Sequence, residues 1–182
     1  MSLCQNIRAV SLAVFALAAA VGSAAGQAEG NLPGGASSLQ ERHGDWLVTC
    51  GVVPQNGATG KACVLSQQQV DQSNNRRILS VEFRPTPDGA AGTLILPFGL
   101  ALARGITIGV DDAAPGDPVP FGTCLPVGCI VRLPVTGPLM DAMKRGTSLK
   151  IAAVAAGGQE TNFSASLSGF SAALNRTVEL AR

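Results

Sequence analysis

Arg77-Ile78-Leu79-Ser80-Val81-Glu82-Phe83-Arg84, followed by Pro85-Thr86-Pro87-Asp88-Gly89, sets the reading of the whole chain. Leu79, Val81 and Phe83 alternate with Ser80, Glu82 and Arg84, the two-residue period of a strand with one buried face and one wet face. Pro85 is expected to end that strand, because proline cannot donate to a ladder, and Pro87-Asp88-Gly89 to turn the chain. The same period recurs on both sides. Upstream, residues 45–51 set Trp46, Val48 and Cys50 against Asp45, Leu47 and Thr49. Residues 62–70 place Cys63, Leu65 and Gln67 on one side, although the run Gln67-Gln68-Gln69 weakens that strand. Downstream, strands are expected at 93–96, 100–103, 106–110, 129–133, 149–155 and 161–167, with Pro134 closing the one before it. Turn signals lie between them at 71–75, at Phe98-Gly99, at Arg104-Gly105 and over 111–118.

Two segments read as short helices. Pro138 in a first turn after Thr136-Gly137, a stripe of Leu139, Met140 and Met143, and Gly146 as a stop describe one. Phe170, Ala173 and Leu174 mark the other over 170–177, with 178–182 expected to fray. Short strands at regular spacing, with no βαβ unit, describe an all-β or mainly β domain. The expected architecture is an antiparallel sandwich or barrel with one or two short helices.

The chain has 182 residues, 13 Lys and Arg against 12 Asp and Glu, no tyrosine, one Trp and one His. Charged residues make up 14 % of it, well below the ~25 % of a typical domain. A charge balance near zero gives no electrostatic case for nucleic acid or for an anionic membrane. With His43 as its one histidine, a multi-histidine metal site cannot be built, and any Ser-His or Cys-His chemistry must use that residue.

Residues 1–25 read as a secretory signal peptide. Arg8 supplies the positive start, residues 9–21 the apolar stretch, and Ser23-Ala24-Ala25 the small residues of a cleavage site, with Ala28 as the second choice. The apolar run is ~13 residues where a membrane span needs ~20. Residues 26–40, rich in Gly, Pro and Ser, read as a flexible linker, and 41–182 as a single domain. The mature protein is expected to be periplasmic or secreted. Cys4 leaves with the leader, so Cys50, Cys63, Cys124 and Cys129 remain, an even number in an oxidising compartment. Sequence proximity favours Cys50–Cys63 and Cys124–Cys129 among the three possible connectivities. The wide spacing between Cys50 and Cys63 argues against a zinc site.

Four segments carry a resemblance when taken in order. They are His43-Gly44-Asp45-Trp46-Leu47-Val48-Thr49-Cys50; Leu96-Pro97-Phe98-Gly99-Leu100-Ala101-Leu102 with 105–111; Pro120-Phe121-Gly122-Thr123-Cys124 with Gly128-Cys129; and Ser166-Leu167-Ser168-Gly169-Phe170 with 171–174. Together they resemble the invasion-associated locus B family of exported bacterial proteins, over about residues 46–174. The resemblance implies a small, exported, largely β protein of a kind found mainly in alphaproteobacteria and associated with host-cell invasion. It brings no catalytic residues. Trp46, Pro97, Gly99, Asp111, Phe121, Gly128, Gly169 and Phe170 belong to the shared pattern, and each is expected to serve the fold.

Other candidates have plain structural explanations. Asp111, Asp112 and Asp117 lack the spacing of a calcium loop. Arg76-Arg77 have no aromatic neighbour in sequence and read as solvated charges beside a turn. Nothing in the sequence brings Glu41, Asp45 and Glu82 together as acid and base. No cofactor and no metal is expected. The favoured function is binding of a protein or cell-surface component by polar loops at 52–60, 71–75 and 111–118. An envelope hydrolase and a periplasmic chaperone are the alternatives. Mass spectrometry of the exported protein should find a new amino terminus at Gly26, or just after Ala28. Retention of Met1 and Cys4 would refute the leader.

Overall fold

Leu79, Val81 and Phe83 are all buried on one face of β4 (Arg77–Thr86), and the strands beside it repeat that arrangement. The computed structural model describes residues 32–55, 57–135 and 137–182. The expected signal peptide lies outside those residues, as do Asn56 of the first loop and the Thr136 cap. Among the described residues, β1 (Ser38–His43), β2 (Trp46–Gln55), β3 (Ala58–Val70), β4, β5 (Gly89–Leu96), β7 (Phe121–Leu125) and β8 (Gly128–Val135) form one antiparallel sheet in the order β1-β2-β3-β4-β5-β8-β7. A second sheet has the order β10-β9-β6, from β6 (Ile106–Val110), β9 (Ser148–Val154) and β10 (Glu160–Ser166). Helices α1 (Gly137–Arg145) and α2 (Phe170–Ala181) complete it. The domain is thus mainly antiparallel β with two short helices and two disulfides, Cys50–Cys63 and Cys124–Cys129.

Both sheets and both helices share one core. At its centre Trp46, Phe83 and Phe170 make an aromatic triad with ring centroids 5.3–5.7 Å apart, tilted or edge-on. Pairs of that geometry add ~0.5–1.5 kcal/mol each beyond the area they bury. Each disulfide joins directly opposed residues of a ladder, Cys50 with Cys63 between β2 and β3, and Cys124 with Cys129 between β7 and β8. In the chain-entropy picture the first contributes about 3 kcal/mol and the second, closing a shorter loop, about 2.

The sheets meet through side chains. The Gln67 amide donates from Nε2 to the Ser166 carbonyl at 3.1 Å, and its Oε1 accepts the Ser166 N–H at 2.9 Å. Trp46 Nε1–H donates to the same carbonyl at 2.9 Å, and Gln69 donates to the Ser164 carbonyl. The glutamine run that weakened the strand reading is therefore functional in the fold. Gln67 and Gln69 point inward from β3 and satisfy the edge of β10 as a neighbouring strand would.

Several expectations are corrected. The linker 26–40 does not hold throughout: Leu32 is buried, and Ser38-Leu39-Gln40 belong to β1, a polar edge strand with too little alternation to be read from sequence. Structure therefore begins before residue 45, and His43 is the last residue of β1 rather than a residue ahead of the first strand. Pro85 and Pro134 do not end their strands. The β3 partners of β4 stop at Phe83 and the β7 partners of β8 stop at Val131, so neither proline faces a ladder on its far side. Most of the expected loop 52–60 is β2–β3 ladder, paired as far as Gln55 and Ala58. The strand expected at 100–103 is a single bridge at Leu100 followed by the 3-10 turn Leu102–Arg104. Helix α2 runs on to Ala181 because Leu180 is buried against the core, so 178–181 does not fray.

Replacing Gln67 with Leu should leave the Ser166 N–H without its partner and the Ser166 carbonyl with the Trp46 bond alone, and lower stability by roughly 1–3 kcal/mol. Urea unfolding followed by the fluorescence of Trp46, the one tryptophan, measures it. An unchanged midpoint would mean the amide is not what joins the sheets.

Candidate functional site

Pro97-Phe98-Gly99 ends β5 with a tight turn, Gly99 taking φ 89°, and leaves the Phe98 ring 61 % exposed. A phenylalanine inside an apolar strand–turn sequence normally packs; this one does not. Antiparallel pairing brings two further turns to the same end of the large sheet. The β7–β8 hairpin, closed by Cys124–Cys129, carries Leu125 and Val127 at its tip, 47 % and 52 % exposed. Gly128 lets that hairpin approach: with φ 130°, a Cβ there would lie 2.5 Å from the Leu96 carbonyl oxygen. The β3–β4 turn delivers Arg76 and Arg77, and Arg77 donates from its guanidinium to the Val127 carbonyl.

Arg76, Arg77, Pro97, Phe98, Pro126 and Val127 thus frame a groove of about 450 Å³, with exposed Ile78 following Arg77. Among the described residues, neither arginine has a carboxylate within 4 Å. Asp71, in the same turn, is engaged elsewhere. It accepts from the Ser73 N–H and hydroxyl and from the Asn74 amide, and the Ser73 hydroxyl above all holds its carboxyl below the ordinary range. The rim is apolar and cationic.

The remaining candidates serve the fold. Asp111, with φ 52°, accepts from the Thr147 N–H and hydroxyl and from the Ser148 N–H. These bonds, led by the Thr147 hydroxyl, keep its carboxyl low, and they tie the end of β6 to the start of β9. Asp112 pairs with Lys150 at 2.8 Å, so two of the three loop aspartates already have protein partners. Glu82 lies 3.5 Å from Arg84 on β4, far in the topology from Glu41 on β1, and the two do not form an acid–base pair. Gly169 and Gly44 meet where a Cβ on Gly44 would fall 2.6 Å from the Ser168 carbonyl oxygen, so the first and last motif segments touch. The Asp45 N–H donates to that carbonyl at 3.1 Å. Phe121 is half-buried at an irregularity in β7.

Glu41 receives two 2.7 Å hydrogen bonds from Arg176 and latches α2 onto β1; His43 Nε2 is 3.3 Å from the same carboxylate. The Arg176 hydrogen bonds outweigh partial burial and bring the Glu41 pKa from its ordinary 4.5 down to about 2. The arginine in turn is held more firmly protonated by Glu41 and Glu179.

The sequence reading missed the rim. Its signal was Phe98 in a Pro-Phe-Gly turn. Arg76 and Arg77 were without an aromatic neighbour only along the chain; the fold places Phe98 and Val127 beside them.

Fold and site together define a small, disulfide-stapled two-sheet β domain with an apolar, cationic rim built from its own sequence motifs. Residues 46–178 match the model of the family described as invasion associated locus B (IalB) protein, and the chain belongs to that family. It is similar to an invasion protein B homolog of Brucella abortus, 38 % identical over 98 % of this chain and 99 % of that one. Invasion protein B of Bartonella bacilliformis is 35 % identical over 82 % of this chain and 80 % of its own length. The crystal structure of invasion associated protein B from Bartonella henselae superposes with a TM-score of 0.70 at 32 % identity, covering 78 % of this chain and 96 % of that one.

The Glu41–Arg176 latch sets a pH dependence. A carboxylate with a lowered pKa contributes stability that is full above pH 4.5 and is lost as the pH falls through about 2. Glu41→Gln should therefore be less stable than the native chain near neutrality, and the gap should close on acidification across that window. Thermal melts of both proteins at several pH values measure it. A gap that stays constant to pH ~2 would place the latch energy elsewhere.

Proposed function

We propose that this protein is exported, loses residues 1–25, and acts in the periplasm or outside the cell by binding a protein or cell-surface component rather than by catalysis. The family and the names of its relatives support a role in host-cell invasion, with envelope integrity as the other setting for such binding. The observation that carries the reading is the rim. Phe98 and Val127 are exposed in one groove, and Leu125 is exposed beside Val127 on the disulfide-closed hairpin. Exposed apolar side chains that cluster are the usual mark of an interaction surface. The disulfides suit an oxidising compartment, and no helix among the described residues is long and apolar enough to cross a membrane. The side chains best suited to acid–base work are committed: Glu41 to Arg176, His43 to Glu41, and Asp111 to Thr147.

A photo-crosslinking residue placed at Phe98 in the native envelope should capture a discrete partner, while one at Asp88, in the turn at the opposite end of the sheet, should not. Equal capture at both positions would discount the rim. Substrate turnover by the purified protein that disappears in His43→Ala would replace the binding reading with the hydrolase one.

A further inference from the structure

We infer that the rim groove takes a short peptide segment of a partner in which a carboxylate side chain stands next to an apolar one. This rests on the binding reading above and names the chemistry of its ligand.

The charge is the first argument. Arg76 and Arg77 stand on one wall of the groove with no carboxylate within 4 Å among the described residues. The one acid of that turn, Asp71, is folded back onto Ser73 and Asn74. A guanidinium carries five N–H donors in a planar fork, and the bond from Arg77 to the Val127 carbonyl uses only its Nη2. That bond sets the guanidinium beside Val127 and leaves donors over for a ligand. Carboxylate is the protein group whose geometry matches such a fork with two parallel, charge-assisted bonds.

Shape and composition are the second. Pro97, Phe98, Pro126 and Val127 also line the groove and offer an apolar side chain a surface with little rotamer entropy to lose. A volume of about 450 Å³ holds a few side chains, within the range of pockets that take small ligands and short segments. An anionic bilayer fits less well. Two arginines supply only about 2 kcal/mol of attraction to such a surface.

The test uses the exported, disulfide-bonded protein and a fluorescein-labelled heptapeptide that alternates Glu with Leu and Phe. Its partner probe has Gln in place of every Glu. Fluorescence anisotropy should show the acidic peptide binding at least about tenfold more tightly than the Gln peptide. Arg76→Glu and Phe98→Ala, both at exposed positions and free to fold, should each weaken it by a similar factor. Equal binding of the two peptides, no binding of either, or indifference to both substitutions overturns the inference. So does Phe98-dependent pelleting with phosphatidylglycerol vesicles in the absence of peptide binding. If a crosslinker at Phe98 captures a protein partner while the acidic peptide fails, the binding reading stands and the ligand chemistry proposed here falls; if both fail, both fall.

Discussion

The structure depends on how the free edge of the small sheet is closed. Edge strand β10 would otherwise expose the N–H and carbonyl of Ser166 at the seam where the two sheets enclose the core. A buried backbone group without a partner costs about as much as a lost hydrogen bond or more. Gln67 answers both groups with one side-chain amide, and Trp46 adds an N–H to the same carbonyl. The ring that makes that bond is also a member of the aromatic triad with Phe83 and Phe170. Edge satisfaction and core packing therefore meet in the same residue. That gives Trp46 a polar as well as an apolar reason to be where it is, and it explains a buried glutamine in a strand of otherwise apolar inward positions.

Strands with one apolar face were legible from the sequence because their period is local. Leu79-Val81-Phe83 and Trp46-Val48-Cys50 need no knowledge of their neighbours to be read. What was not legible depends on neighbours. Strand β1 has only Leu39 as an apolar residue between Ser38 and His43, and it is a strand because β2 offers it a ladder. Prolines at 85 and 134 look like terminators until the register shows that their far sides are unpaired. Gln67 and Gln69 look like a solvated tract until β10 is placed beside them. The tail of α2 reads as frayed until Leu180 finds the core. The candidate site shares this difficulty: its residues come from three separated segments, and only pairing of β4 with β5, and of β5 with β8, brings them to one end.

The rim and the scaffold are mechanically linked. Phe98 projects from the end of β5, whose ladder with β8 runs up to Leu96 opposite Cys129. Cys129 is the disulfide partner of Cys124, so the covalent staple lies one residue from Gly128, whose backbone packs against the Leu96 carbonyl. Gly128 permits that approach, and the Arg77 bond to Val127 crosses to the third segment. Turns held in this way have little conformational entropy left to lose, as the binding proposed above would require. The same argument assigns the family motif residues a joint purpose. Pro97 and Gly128 line the groove themselves, while Gly99, Cys124 and Cys129 shape the turns that carry Phe98 and Val127.

A division of labour among the polar residues follows. Asp71, Asp111, Glu41 and Gln67 each accept two or more internal hydrogen bonds or spend both ends of an amide on the fold. Each sits at a joint: the β3–β4 turn, the β6–β9 connection, the α2–β1 contact and the seam between sheets. In a chain with so few charged residues, the rim carries two arginines with no carboxylate within 4 Å among the described residues, although the chain as a whole is close to neutral. Net charge therefore misdescribes this surface. The total is balanced by count, but Glu41, Asp71 and Asp111 are bonded at joints, while Arg76 and Arg77 beside Phe98 have no carboxylate within 4 Å among the described residues.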